Sequence, residues 1–114
     1  MPVFEGNGGG SQRAVRGDAA LVREVGDLLT ARFSVCAVRG EISGLSRAPS
    51  GHCYFNLKDA DGGAALLRCA MFRRAASLLA FEPADGQLVE VRGRLGVYEP
   101  RGELQLVVEG MQRA

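Results

Sequence analysis

Four side chains of contrasting chemistry alternate with apolar ones between Ser50 and Asp59. His52, Tyr54, Asn56 and Lys58 fall on one side; Cys53, Phe55 and Leu57 fall on the other. A period of two marks a β-strand with one buried face. Its exposed side carries an imidazole, a phenol ring, a carboxamide and an ammonium. Such groups stack on nucleobases and reach phosphates. A strand needing only solubility is better served by Thr, Glu and Lys. The pattern points to a nucleic-acid-binding β-barrel.

A second alternating run covers about residues 65–73, with Leu67, Cys69 and Met71 on one side and Arg68, Ala70 and Phe72 on the other. Tyr54 and Phe72 are the stacking candidates, and stacking reads no base edge. Arg68, Arg73 and Lys58 are phosphate candidates. Arg101, in a turn further on, is a candidate rim contact. Each has a plainer reading: Tyr54 as half of a cross-strand pair, Phe72 as packing under a short helix, and the cations as a solvated face. His52 is a candidate base contact. With no carboxylate or metal partner near it in sequence, it is not expected to act as a general base. Asp59 and Asp61 stand beside Gly62 and read as turn formers rather than a Mg²⁺ pair. No catalytic residue, metal ligand set or cofactor is expected in this chain.

These residues need elements to position them. Residues 1–17 form a Gly-rich stretch without periodicity, expected to be a disordered tail. Helical spacing follows from Asp18, a candidate N-cap, with Leu21, Val25, Leu28, Leu29 and Phe33 on one face. That face either closes one end of a barrel or binds a partner. Strand patterns cover about residues 34–46, 50–59, 65–73 and 87–98, and a last strand carries Leu104, Leu106 and Val108 on its apolar side. Gly40 marks a bend in the first. A short helix fits Arg73–Phe81, ended by Pro83 and Gly86. Glu99-Pro-Arg-Gly is a turn with Pro100 at its second position and Gly102 at its fourth. Three strands, a helix and two strands is the order of the OB-fold, a five-stranded Greek-key barrel with its helix between strands three and four. The chain is thus read as all-β with helical additions, an OB-fold domain over residues 18–112 with one N-terminal helix. The ligand face of such a barrel is formed chiefly by strands two and three.

Composition limits the rest. The 114 residues fit one domain, and 46% hydrophobic content builds a small core. The net charge is +1, so any basic patch must be local. Thirteen of the 14 basic residues are Arg, which suits phosphate forks but also follows from a GC-rich genome. Cys36, Cys53 and Cys69 have no ligand spacing. Their odd number at apolar strand positions reads as reduced core thiols of a cytoplasmic protein. No apolar run reaches the roughly 18 residues that a membrane span requires, and no membrane partner is expected.

Four segments carry a family resemblance: Gly40-Glu-Ile-Ser, Ser50-Gly-His-Cys-Tyr-Phe-Asn-Leu-Lys-Asp, Arg68-Cys-Ala-Met-Phe-Arg and Tyr98-Glu-Pro-Arg-Gly-Glu-Leu-Gln-Leu. In this order and spacing they resemble the N-terminal OB domain of the bacterial exodeoxyribonuclease VII large subunit, over about residues 21–112. Ala37 and Gly44 depart from the family's usual Trp and Asn, and the link between strands two and three is a few residues longer. The resemblance implies a hydrolase that degrades single-stranded DNA to oligonucleotides, with small subunits as partners. It gives Phe72 and Arg73 added weight, since Met-Phe-Arg belongs to the motif. The family's nuclease domain would follow the fifth strand, so the resemblance implies a binding module without the catalytic centre. Two other readings stay open: an OB domain that binds tRNA or other RNA, and a scaffold that positions subunits.

Overall fold

The computed structural model describes Val15 and residues 17–114. The tail expected at residues 1–17 lies, apart from Val15 and Gly17, outside these. The elements run α1 (Asp18–Arg32), β1 (Cys36–Arg47), β2 (Cys53–Asp59), β3 (Leu66–Met71), α2 (Arg73–Ser77), β4 (Leu88–Tyr98) and β5 (Glu103–Arg113). The strands close into a barrel in the order β1-β2-β3-β5-β4, with β1 also pairing β4. All neighbours are antiparallel except β3 and β5, which run parallel and pair Arg68 with Gln105, Cys69 with Leu106 and Ala70 with Val107. This is the OB-fold barrel, with a helix ahead of it and a short helix between β3 and β4.

Alternation fills the barrel. Ile42, Cys53, Phe55, Leu57, Cys69, Met71, Val89, Val91, Leu106 and Val108 form one buried cluster, with Phe55 its largest member. β1 serves both halves of the sheet, pairing Gly40 with Asp59 on β2 and with Val89 on β4. A Cβ at Gly40 would stand 2.7 Å from the Lys58 carbonyl oxygen, so a glycine is required where the strands draw this close.

Several local expectations are corrected. The N-cap of α1 is Gly17, in extended conformation, and Asp18 is the first helical residue. There its charge still favours the positive end of the helix. The half-buried positions of α1 are Val22, Gly26 and Leu29, whereas Leu21, Val25 and Leu28 are exposed. A Cβ on Gly26 would lie 3.7 Å from Val97 Cβ, so the glycine marks where the helix comes close to β4. Helix α2 is one turn rather than the expected span to Phe81. Leu78 and Leu79 donate to the carbonyls of Ala75 and Ala76, i to i−3 bonds that tighten and end the turn. Leu79 and Phe81 then pack against the core. Leu104 is exposed rather than buried. Ala70 lies on the outward side of β3 but is fully buried, because its neighbours across the sheet, Tyr54 and Val107, are larger.

Candidate nucleic-acid interface

The outward residues of β2 and β3 face one side of the barrel. Register places Tyr54 beside Ala70, Asn56 beside Arg68 and Lys58 beside Leu66. Parallel pairing then carries this surface onto β5, where Gln105 lies beside Arg68. The β4–β5 hairpin pairs Tyr98 with Glu103. Its turn is closed by the Arg101 and Gly102 N–H groups donating to the carbonyls of Tyr98 and Glu99, with Gly102 at φ +61°. The result is an open groove of about 360 Å³, lined by Tyr54, Arg68, Phe72, Tyr98, Arg101, Glu103 and Gln105.

Of the residues singled out in the sequence, Tyr54, Arg68, Phe72 and Arg101 therefore share one groove, and Arg73, His52 and Lys58 do not line it. Arg73 follows Phe72 in sequence but lines a separate recess with Arg47, Phe81 and Glu82. The chain leaves β3 at Phe72 and enters α2 at Arg73, so strand alternation ends between them. The recess also holds an exposed Arg47–Glu82 ion pair at 3.0 Å. Gly51, at φ +95°, gives the Arg73 stem room: a Cβ there would lie 2.9 Å from Arg73 Cγ.

His52 supports the groove from behind. Its Nδ1 accepts the Arg73 backbone N–H at 2.8 Å, satisfying a donor that the start of α2 would otherwise leave open. Its ring meets that of Phe72 edge-on, with centroids 5.3 Å apart and an interplanar angle of 83°. Lys58 continues the outward side of β2 and lines an apolar-walled recess with Val38, Leu66 and Leu104. In the β2–β3 turn the Asp59 side chain accepts the Asp61 N–H at 3.0 Å, as a turn-forming Asp does.

Sequence reasoning did not single out Tyr98, Glu103 and Gln105. The signal was there: period-two counting puts Glu103 and Gln105 opposite Leu106, and barrel closure brings β5 against β3. Only the parallel register makes Gln105 a neighbour of Arg68.

The groove thus combines three aromatic rings, two guanidinium groups, one carboxylate and one amide. Rings interleaved with cations on the β2–β3 side of a five-stranded barrel define a nucleic-acid-binding OB domain. Residues 19–112 match the family described as the OB-fold nucleic acid binding domain, and the chain belongs to it. Its sequence is homologous to exodeoxyribonuclease 7 large subunits. It is 70% identical to that of Delftia acidovorans over 95 residues, 83% of this chain and 21% of the relative. It is 50% identical to that of Thioalkalivibrio sulfidiphilus, over 82% of this chain and 20% of the relative. For Salinibacter ruber the identity is 44%, over 84% of this chain and 23% of the relative. The chain thus spans about a fifth of the length of these curated relatives. Among solved structures, it resembles a chain of a replication protein A heterotrimer bound to single-stranded DNA, with a TM-score of 0.54 and 14% identity over 70% of this chain and 57% of that one. At that identity the likeness concerns the fold.

Proposed function

We propose that this domain binds single-stranded DNA as the substrate-engaging module of an exodeoxyribonuclease VII large subunit, an enzyme that degrades single strands to oligonucleotides. The observation that carries the reading is the groove in which Tyr54, Phe72 and Tyr98 lie among Arg68 and Arg101. Rings of this kind stack on unpaired bases, while guanidinium groups neutralise phosphates. In duplex DNA the bases are already stacked on one another and cannot reach the rings. On this reading the domain holds the strand and leaves the cutting to the rest of the subunit. Hydrolysis belongs to the remaining four-fifths of the parent subunit, and contacts with small subunits are made there. Among the described residues no helix is long and apolar enough to cross a membrane, and action on DNA in the cytoplasm fits this reading.

Fluorescence anisotropy with labelled oligonucleotides tests it. Single strands should bind more tightly than duplex of the same sequence and remain intact with Mg²⁺ present. Tyr54→Ala and Phe72→Ala should each cost ~1–3 kcal/mol of binding. Arg92→Ala, on β4 outside the groove, should change little. Equal affinity for duplex, or a Phe72→Ala protein that melts earlier yet binds unchanged when folded, would refute the assignment.

A further inference from the structure

A groove built to hold a polyanion has little use for a carboxylate, yet Glu103 lines this one. It has no ion-pair partner among the described residues. An unneutralised carboxylate repels phosphate and weakens binding unless a donor on the ligand meets it. Phosphates and sugar ring oxygens only accept hydrogen bonds; base edges donate.

The geometry points to Glu103 as a base-reading residue with a preference for guanine. The inference rests on the single-strand reading above. A carboxylate accepts hydrogen bonds through both oxygens and donates none when ionised. Guanine alone among the DNA bases presents two adjacent donors, N1–H and the N2 amine, that a carboxylate can take in a fork. Thymine offers one N3–H between two carbonyl oxygens, and those oxygens face the carboxylate unfavourably. Adenine and cytosine each offer a single amine on this edge.

The other side of the groove fits the other side of the same base. Arg68 projects from β3 directly across from Gln105, two residues along β5 from Glu103 and on the same outward side. Guanine's O6 and N7 are the acceptor pair that an Arg fork recognises. Gln105, able to donate and to accept, lies between the two charged groups in register. Tyr54, Phe72 and Tyr98 supply ring faces for the base plane. A base stacked here thus meets an acceptor on one side and donors on the other, the complement of guanine.

The test uses the 114-residue protein and a dT oligonucleotide with one central base varied. The dG version should bind about five- to tenfold more tightly than the all-dT strand, the low end of what a bidentate base contact supplies. A central dA separates edge reading from stacking, since adenine stacks as a purine but lacks the paired donors, and it should fall near dT. Inosine, which lacks the N2 amine, should fall between dG and dT. Glu103→Gln should weaken the dG strand and leave the dT strand unchanged or tighter, closing the gap; circular dichroism confirms the fold. Equal dG and dA affinities, or Glu103→Gln shifting dG and dT strands alike, would overturn the base reading while leaving single-strand binding intact. Failure of every oligonucleotide to bind would overturn both.

Discussion

Phe72 is fixed less by the groove it lines than by His52 behind it. The imidazole meets the ring edge-on and accepts the next residue's N–H, so one side chain sets both the ring and the start of α2. His52→Ala should cost about 1 kcal/mol of stability from the lost acceptor and should weaken single-strand binding by less than Phe72→Ala. In His52→Asn the side-chain oxygen can again accept the Arg73 N–H. Thermal melts should recover there while anisotropy stays reduced, because the edge contact is still missing. Cys69 gives a second prediction. Burial pushes its thiol from 9.0 up to about 12, against a smaller opposing effect of the Arg68 charge. The folded protein thus keeps a proton that the unfolded chain releases above pH 9. Stability from this group is complete below that pH and falls as pH rises toward about 12. Urea midpoints measured between pH 8 and 11 should drop more for the wild type than for Cys69→Ala, each relative to its own value at pH 8.

Among the elements, the strands were more legible than the helices. β2 and β3 could be read by alternation because one face of each is the core, and the core admits only apolar side chains. Helix α1 misled because its apolar residues spread around more than one face. Hydropathy ranks Leu28 above Gly26, yet the small residue faces β4 and the large one faces solvent. A Cβ at Gly26 would sit in ordinary contact with Val97, so the site tolerates a small side chain but crowds a large one, which no hydropathy count registers. Gly26→Leu should therefore destabilise by about 1–3 kcal/mol through overpacking against Val97. Leu28→Lys, at a position 67% exposed, should stay within about 0.5 kcal/mol of wild type. Chemical denaturation of both variants checks the face assignment; equal effects would reject it. The groove was half legible for a related reason. Tyr54 and Arg68 lie on strands whose faces alternation reveals, Phe72 directly follows β3, and Arg101 lies in a recognisable turn. Glu103 and Gln105 depend on the β3–β5 register, which no local pattern encodes. Arg73 stands next to Phe72 in sequence, but the helix that begins between them sends the two side chains into different recesses.

At the scale of the whole molecule, a net charge of +1 leaves little long-range attraction for a polyanion. On the proposed reading, binding comes from the groove, where Arg68 and Arg101 are the lining cations among the described residues and Glu103 offsets one of them. The logarithm of the binding constant should fall with the logarithm of salt concentration at a slope between about −0.7 and −1.4, as for one or two phosphates on a single strand. Arg101→Ala should make that slope shallower by about 0.7. A slope several times steeper would place the main contacts outside the groove. The parallel β3–β5 pairing has a consequence for how the domain comes into being. It is the seam that closes the barrel, and its second strand is the last of the five to be synthesised. The same strand carries Glu103 and Gln105, and the hairpin it forms with β4 carries Tyr98 and Arg101. A nascent chain paused before β5 has Tyr54, Arg68 and Phe72 but neither the seam nor the facing wall. Such a chain lacks the wall that the proposed groove needs, so the closed barrel and the complete groove arise in one step, when β5 docks.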